Sequence, residues 1–228
     1  MTRRIEPDAL DESTRAALVA LASPDPTPGP PAHRVFRGVL GDTRPLVEDL
    51  VAREHELIAN EPAGHPRRHG WVLADLPIAA DPVVDAMHAR LGELSTEFGL
   101  GLPLDDEGRP PLELSDVRIT VHRDGDFLGS HHDDRWPGLR NGRLLSFVYW
   151  FHSKPRAFEG GTLVLSGWAR RDGELQPFGP KVELEPADDT LVVFPSSTRH
   201  ELRRVRCEPD RLRSARGAIV AFARRAKA

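Results

Sequence analysis

The sequence predicts a mainly β protein with supporting N-terminal helices, an α+β chain whose β half forms a sandwich or jelly roll. Three observations carry this expectation. Apolar residues recur at helical spacing only in the first hundred positions. After Gly108 the chain breaks into short runs rich in β-branched and aromatic residues, separated by clusters of Gly, Pro, Asp and Ser. Alternating βαβ units are missing, which favours packed antiparallel sheets over a parallel one.

Residues 5–22 place Leu10, Ala17, Leu18 and Leu21 on one face of an amphipathic helix. The stretch 23–31 carries five prolines in nine residues, so neither helix nor sheet can continue through it. This predicts an N-terminal arm and linker over 1–32 and one domain over 33–228. The spacing predicts further helices over Arg44–Asn60, through Leu46, Leu50, Val51 and Ile58, and over Asp81–Phe98, through Val84, Met87, Leu91 and Leu94. Asp81 followed by Pro82 reads as an N-cap with proline in the first turn. Strands are expected at Leu114–His122, Arg143–His152, Thr162–Ser166, Lys181–Leu184, Thr190–Phe194, Leu202–Arg206 and Ala218–Ala223.

Composition narrows the function. With 31 basic and 35 acidic residues the net charge is −4, which gives no broad field for nucleic acid or anionic lipid. No apolar run approaches the ~20 residues of a membrane span. The N-terminus lacks the apolar core of a secretory signal, and a single cysteine, Cys207, cannot form an internal disulfide. A cytoplasmic, reducing location is the expectation.

The chemistry concentrates in Gly125-Asp-Phe-Leu-Gly-Ser-His131-His132-Asp133-Asp134. On a strand, residues two apart face one side, so His131 and Asp133 would point together into a barrel, while His132 with Asp134 is the rival pair. A third ligand is needed from a neighbouring strand, and His200 follows the apolar run Leu191–Phe194. Two His and one carboxylate on one face of an octahedral metal leave three positions open, the arrangement of non-haem Fe(II) oxygenases. The last strand places Arg216, Ala218, Val220 and Phe222 on one face, and a guanidinium inside a barrel demands an anionic partner. Arg118, Thr120 and His122 alternate against Val117, Ile119 and Val121, so they form the polar face of 115–122 and are candidates for substrate or cosubstrate contact. Between Arg199 and Arg216 seven Arg stand against three acids, a cluster that would attract an acidic substrate if it bordered the site.

Four motifs in order resemble the 2-oxoglutarate/Fe(II)-dependent dioxygenases of the prolyl 4-hydroxylase-like group. They are Gly125-Asp-Phe-Leu-x-x-His-x-Asp133, Arg143-Leu-Leu-Ser-Phe-Val-Tyr-Trp150, Phe158-Glu-Gly-Gly-Thr-Leu163, and Val193-Phe-Pro-x-x-x-x-His200-Glu-Leu with Arg216-x-Ala-Ile. The resemblance implies a double-stranded β-helix, iron held by His131, Asp133 and His200, and Arg216 on the distal carboxylate of 2-oxoglutarate. It also implies O2 as a substrate, succinate and CO2 as products, and ascorbate as an accessory reductant. The family pattern places the first ligand six residues after Gly125, which selects His131 over His132. Retention of Asp133 argues against halogenation. Trp150 stands where relatives often have a tyrosine, His122 where others have one, and Val220 where some have a threonine, so Trp150 and His122 join Arg216 as cosubstrate-binding candidates. The loop Cys207-Glu-Pro-Asp-Arg-Leu-Arg-Ser214 resembles bacterial members. An amino-acid, peptidyl-proline or small-molecule substrate is expected, chosen by the loops Asp134–Asn141 and Ser153–Glu159, and a homodimer is a further expectation. A cupin-like Zn(II) hydrolase and a non-catalytic jelly-roll binding module are the competing readings.

Overall fold

The computed structural model of the protein describes residues 30–60, 68–100, 102, 110–134, 142–171, 174–209 and 211–226. The helix expected over 5–22 lies outside them, as does most of the selectivity loop expected at Asp134–Asn141.

Two antiparallel sheets enclose a common interior. The larger has seven strands in the order β1 (Arg34–Arg37), β11 (Thr190–Pro195), β7 (Arg143–Phe151), β14 (Arg216–Arg225), β5 (Leu112–His122), β4 (Trp71–Leu73) and β2 (Ile58–Ala59). The smaller runs β10 (Glu174–Leu184), β9 (Leu163–Arg171), β12 (Arg199–Leu202), β6 (Phe127–His131) and β3 (Arg68–His69). A two-stranded ribbon, β13 (Val205–Cys207) with β8 (Phe158–Gly160), lies beside them. This is the predicted jelly roll.

Alternation along the central strands divides their side chains between two cores. Leu145, Phe147, Tyr149 and Phe151 of β7, Ile119 and Val121 of β5, and Ile219, Ala221 and Ala223 of β14 pack against the helices. Trp150, Ala218, Leu163, Leu165, Val192 and Phe194 instead fill the space between the sheets. Each fully buried Leu, Val or Phe contributes roughly 1.5–3 kcal/mol, so both faces of the large sheet are fixed in register.

The helices are α1 (Arg44–Ala52), α2 (Asp81–Ala89) and α3 (Leu91–Glu97), burying Leu46, Val47, Leu50, Val83, Met87, Leu91 and Leu94 on the large sheet. They depart from expectation in three ways. The first helix ends at Ala52 and passes through a 3-10 turn at Glu54–Glu56, and Ile58 is a strand residue paired with Val72. The second is broken at Arg90, where the backbone N–H donates to Met87 O and closes a tighter turn. Asp81 is the first helical residue rather than the cap, because a 3-10 turn at Ile78–Ala80 delivers the chain already helical. Among the described residues no helix is long and apolar enough to cross a membrane.

The strands also differ. The expected Leu202–Arg206 strand is two strands, β12 and β13, split at Arg203-Arg204, so Leu202 and Val205 belong to different ribbons. The β9–β10 hairpin is far longer than Thr162–Ser166 and Lys181–Leu184 suggested. Pro177 and Gly179 looked like terminators, but a register shift between Pro177 and Lys181 absorbs them.

Candidate active site

The three candidate ligands meet at the end of the small sheet. His131 closes β6 and His200 lies on β12, directly opposite as Cα partners. Asp133 is beyond the end of β6, not on the strand as the two-residue spacing suggested. Its position comes from the turn after β11: the N–H groups of Asp133 and Asp134 donate to Ser196 O at 3.1 and 3.0 Å. The side chains still converge. One ligand atom from each of His131, Asp133 and His200 lies within 4.8 Å of the others. His131 Nε2 is 3.6 Å from Asp133 Oδ1, and His200 Nε2 is 3.5 Å from Asp133 Oδ2.

Surrounding groups orient these ligands. His131 Nδ1–H donates to Gly129 O at 2.9 Å and His200 Nδ1–H to Thr198 O at 2.9 Å. Each bond puts the ring proton on Nδ1 and leaves the Nε2 lone pair facing the partner ligands. Ser146 Oγ donates to Asp133 Oδ2 at 2.7 Å and contacts Ser196 Oγ at 2.9 Å. That fixes the orientation of the carboxylate. Burial opposes ionisation of Asp133, but His200, His131 and the Ser146 hydroxyl outweigh it and hold the carboxyl well below the usual range. Burial pushes His200 down to about 4, with His131 adding, so the ring is neutral at pH 7 and available as a ligand. Ser146 escaped sequence reasoning. Its signal was parity: on β7 it shares the interior face with Val148 and Trp150, the one hydroxyl in an apolar row.

His132 and Asp134, the rival pair, do not join this cluster. His132 Nδ1 pairs with Ser197 O at 2.8 Å. Asp134 is 1% exposed rather than the start of a solvated loop, anchored through its backbone to Ser196.

A cavity of about 130 Å³ runs from this cluster between the sheets. His131, Asp133 and His200 line it, and so do Arg216, His122, Thr120 and Arg118. Arg216 begins β14 opposite His122 of β5 and is 3% exposed. Burial lowers its proton affinity, and Arg156 nearby adds to that. Its Nη1 donates to His122 Nδ1 at 3.4 Å, a long contact. Burial drives His122 well below its ordinary value, and the Arg216 charge reinforces this, so its ring is neutral. The Trp150 ring lies 5.7 Å from the Arg216 guanidinium carbon. Trp150 Nε1 and Arg216 Nε are buried donors with no hydrogen-bond partner among the described residues. Two orphaned donors beside a buried cation fit an anionic, acceptor-rich ligand.

Gly161 makes room for this arrangement. It adopts φ +68, and a Cβ there would stand 2.8 Å from Arg216 Cδ. At Gly160, φ +70, a Cβ would collide with Arg204 O, so the Gly160-Gly161 turn also permits a close backbone approach. The seven-arginine cluster does not border the cavity as a group: of its members only Arg216 lines it. Arg199 bonds Ser130 Oγ, Arg203 pairs with Glu183, and Arg211 with Glu208.

Comparisons with known proteins give similarities over the same region. The family described as the 2OG-Fe(II) oxygenase superfamily matches residues 117–223. An uncharacterized PKHD-type hydroxylase from Synechocystis sp. is 25% identical over 172 residues, covering 73% of this chain and 54% of the relative. The chain thus spans about half the length of that curated protein. A crystal structure of a Pseudomonas putida prolyl-4-hydroxylase superposes with TM-score 0.56 at 22% identity, covering 92% of this chain and 100% of the other. SnoN, a non-heme alpha ketoglutarate dependent epimerase from nogalamycin biosynthesis, gives TM-score 0.51 at 17% identity, covering 92% and 83%. At these identities the two structures establish the fold alone. Residues 117–223, the stretch that matches the 2OG-Fe(II) oxygenase superfamily, carry the His-Asp-His cluster and most of the cavity wall.

Proposed function

We propose that this chain is an Fe(II)- and 2-oxoglutarate-dependent dioxygenase that hydroxylates a C–H bond of an amino-acid, peptidyl-proline or small-molecule substrate, with residues 33–228 as the oxygenase domain and 1–32 as an appended arm. The observation that carries the reading is the pairing, within one cavity, of the His131/Asp133/His200 cluster with the buried, anion-seeking Arg216. When bound, iron supplies with 2-oxoglutarate and O2 the oxidising chemistry, and succinate and CO2 leave as co-products.

The residues divide that work. His131 and His200 present Nε2, each fixed by its Nδ1–H bond to a carbonyl. Asp133 presents its carboxylate, oriented by the Ser146 hydroxyl on Oδ2. Arg216 takes the distal carboxylate of 2-oxoglutarate through its guanidinium fork, with Trp150 Nε1 as a second donor. His122 positions the fork by accepting from Nη1. Phe194 stands edge-on to His200 at 4.9 Å between centroids and shields it from water. A zinc hydrolase would use the same three ligands but leaves Arg216 and Trp150 without a role, and a binding module leaves the His131/Asp133/His200 cluster without one. The single thiol, Cys207, suits a reducing cytoplasm, and ascorbate would sustain turnover.

The test is anaerobic addition of Fe(II) and 2-oxoglutarate. A visible charge-transfer band, with uncoupled succinate formation once oxygen is admitted, is the expected result. Absence of both, with activity retained in zinc, would overturn the reading.

A further inference from the structure

The interior-facing row of β14 runs Arg216, Ala218, Val220, Phe222, and all four line the cavity. At ~3.3 Å per residue its two ends stand roughly 20 Å apart along the strand. The His-Asp-His cluster lies between these ends, since 2-oxoglutarate must reach from it to Arg216, and it is tied to the row near Phe222. The Cα partner of Phe222 on β7 is Ser146, whose hydroxyl holds Asp133.

At that end Phe222 is flanked by two more guanidiniums, both lining the same cavity. The Arg143 guanidinium carbon lies 3.8 Å from the Phe222 ring centroid, and that of Arg118 lies 5.6 Å away. Asp116, held at φ 52, ties them together: its Oδ2 accepts from Arg143 Nη2 at 2.8 Å, and its carbonyl accepts from Arg118 Nη1 at 3.0 Å. Asp116 satisfies only one edge of Arg143. The Nε of Arg143 is buried and has no hydrogen-bond partner among the described residues. Stacking on Phe222 and the Asp116 bond fix the plane of this guanidinium before any ligand arrives, which lowers the ordering cost of binding.

We propose that Arg143, assisted by Arg118, receives a carboxylate of the substrate, so that the compound oxidised is an organic acid. The proposal rests on the dioxygenase reading and deepens it. Arg216 already provides for the distal carboxylate of 2-oxoglutarate on one side of the His-Asp-His cluster, and Phe222 lies on the other, its β7 partner Ser146 bonded to Asp133. A second guanidinium site on that other side therefore serves a different anion, one that must lie against the metal to be oxidised. Guanidinium suits a carboxylate here because its planar fork matches two oxygens. That carboxylate can belong to a free amino or organic acid or to an acidic side chain of a peptide; the recognition chemistry is the same.

The experiment measures binding rather than turnover. Protein loaded with Co(II) and N-oxalylglycine, which fills the cosubstrate position without reacting, is titrated with a panel of N-acetyl amino acids and their primary amides. A pair of blocked pentapeptides carrying Asp or Asn forms the second arm, and the stronger arm identifies the source of the carboxylate. We expect acids to bind about tenfold or more tightly than the matching amides, with the preference shrinking in high salt. Arg143→Met should reduce it to within about twofold and Arg143→Lys should restore part of it, while the melting shift given by N-oxalylglycine stays as in the parent. A parent for which no acid binds better than its amide overturns the proposal, and this comparison needs no variant to fold. A preference that survives Arg143→Met also overturns it. If N-oxalylglycine produces no melting shift in the metal-loaded parent, the dioxygenase reading itself fails, an outcome distinct from the loss of acid preference alone.

Discussion

The hydroxyl of Tyr149 donates to Asp189 Oδ1 at 2.7 Å, on the helix side of the large sheet and away from the cavity. Tyr149 is the chain's single tyrosine. Asp189 also accepts the backbone N–H groups of Leu40 and Gly41, each at 2.8 Å, and so ties the approach to α1 onto the start of β11. Tyr149→Phe should lower unfolding free energy by roughly 1.5–3 kcal/mol, the range for a hydrogen bond to a charged partner. Urea denaturation measures this. The 2-oxoglutarate affinity of the variant should match the parent's, since the hydroxyl points away from the site.

The same aspartate gives the fold an acid limit. Burial opposes ionisation of Asp189, but the bonds from Leu40, Tyr149 and Gly41 prevail and hold its carboxyl below the usual range. A depressed value in the folded state means stability is fully present above the unfolded value of about 4 and is lost as pH falls through the folded value. Asp189→Asn should be less stable at pH 7 and show a shallower loss between about pH 5 and 2. Parallel acid titration curves for parent and variant would show that Asp189 is not the linked group.

Arg216→Ala removes the counter-charge for a buried dianion and should weaken 2-oxoglutarate binding by roughly 2–5 kcal/mol, about 30-fold or more. Arg216→Lys recovers part, keeping charge without the fork. Calorimetry with Mn(II) in place of iron reads this without turnover. Arg211 and Arg213 are the controls: Arg211 pairs with Glu208 on the surface, and neither lines the cavity, so alanine at either should change the affinity by no more than a few-fold.

Trp150→Phe separates a binding role from a structural one by sign. The indole N–H is a buried donor with no partner among the described residues, so its removal should leave the melting temperature of the cosubstrate-free protein unchanged or raised. The Michaelis constant for 2-oxoglutarate should rise several-fold. A variant with a lower melting temperature and an unchanged Michaelis constant would make Trp150 a packing residue only.

His131→Ala, Asp133→Ala and His200→Ala should each abolish tight Fe(II) binding and turnover. His132→Ala, which loses the bond to Ser197 O, should keep iron and a measurable fraction of activity. Asp134→Ala should also keep iron, but its burial predicts a larger loss of stability than a loop residue would show. Metal analysis after gel filtration checks all five.

Much of this was legible in the sequence because period-2 alternation is a strong signal where both sheet faces are buried. Ile119 and Val121 against Thr120 and His122 assign their faces without coordinates, and Arg216 through Phe222 do the same. The metal ligands were legible through spacing, although Asp133 arrives by a turn bonded to Ser196 and not by strand phase. Helix ends were not legible. Nothing in Arg44–Asn60 says that Ile58 gains more by pairing with Val72 than by continuing a helix, because that preference is tertiary. Arg143 hid for a related reason: its stack on Phe222 and its bond to Asp116 join three separate strand segments.

The division of β7 between two cores also limits how this chain can change length. Ser146, Val148 and Trp150 face the space between the sheets while Leu145, Phe147 and Tyr149 face the helices. Inserting or deleting one residue inside the strand would exchange the two sets, burying the hydroxyl that holds Asp133 among leucines and turning the Asp189 partner toward the cavity. The descendants of this sequence can therefore lengthen or shorten only between strands, and diversity in what the enzyme accepts must enter by replacement within the strands or by growth of the loops that join them.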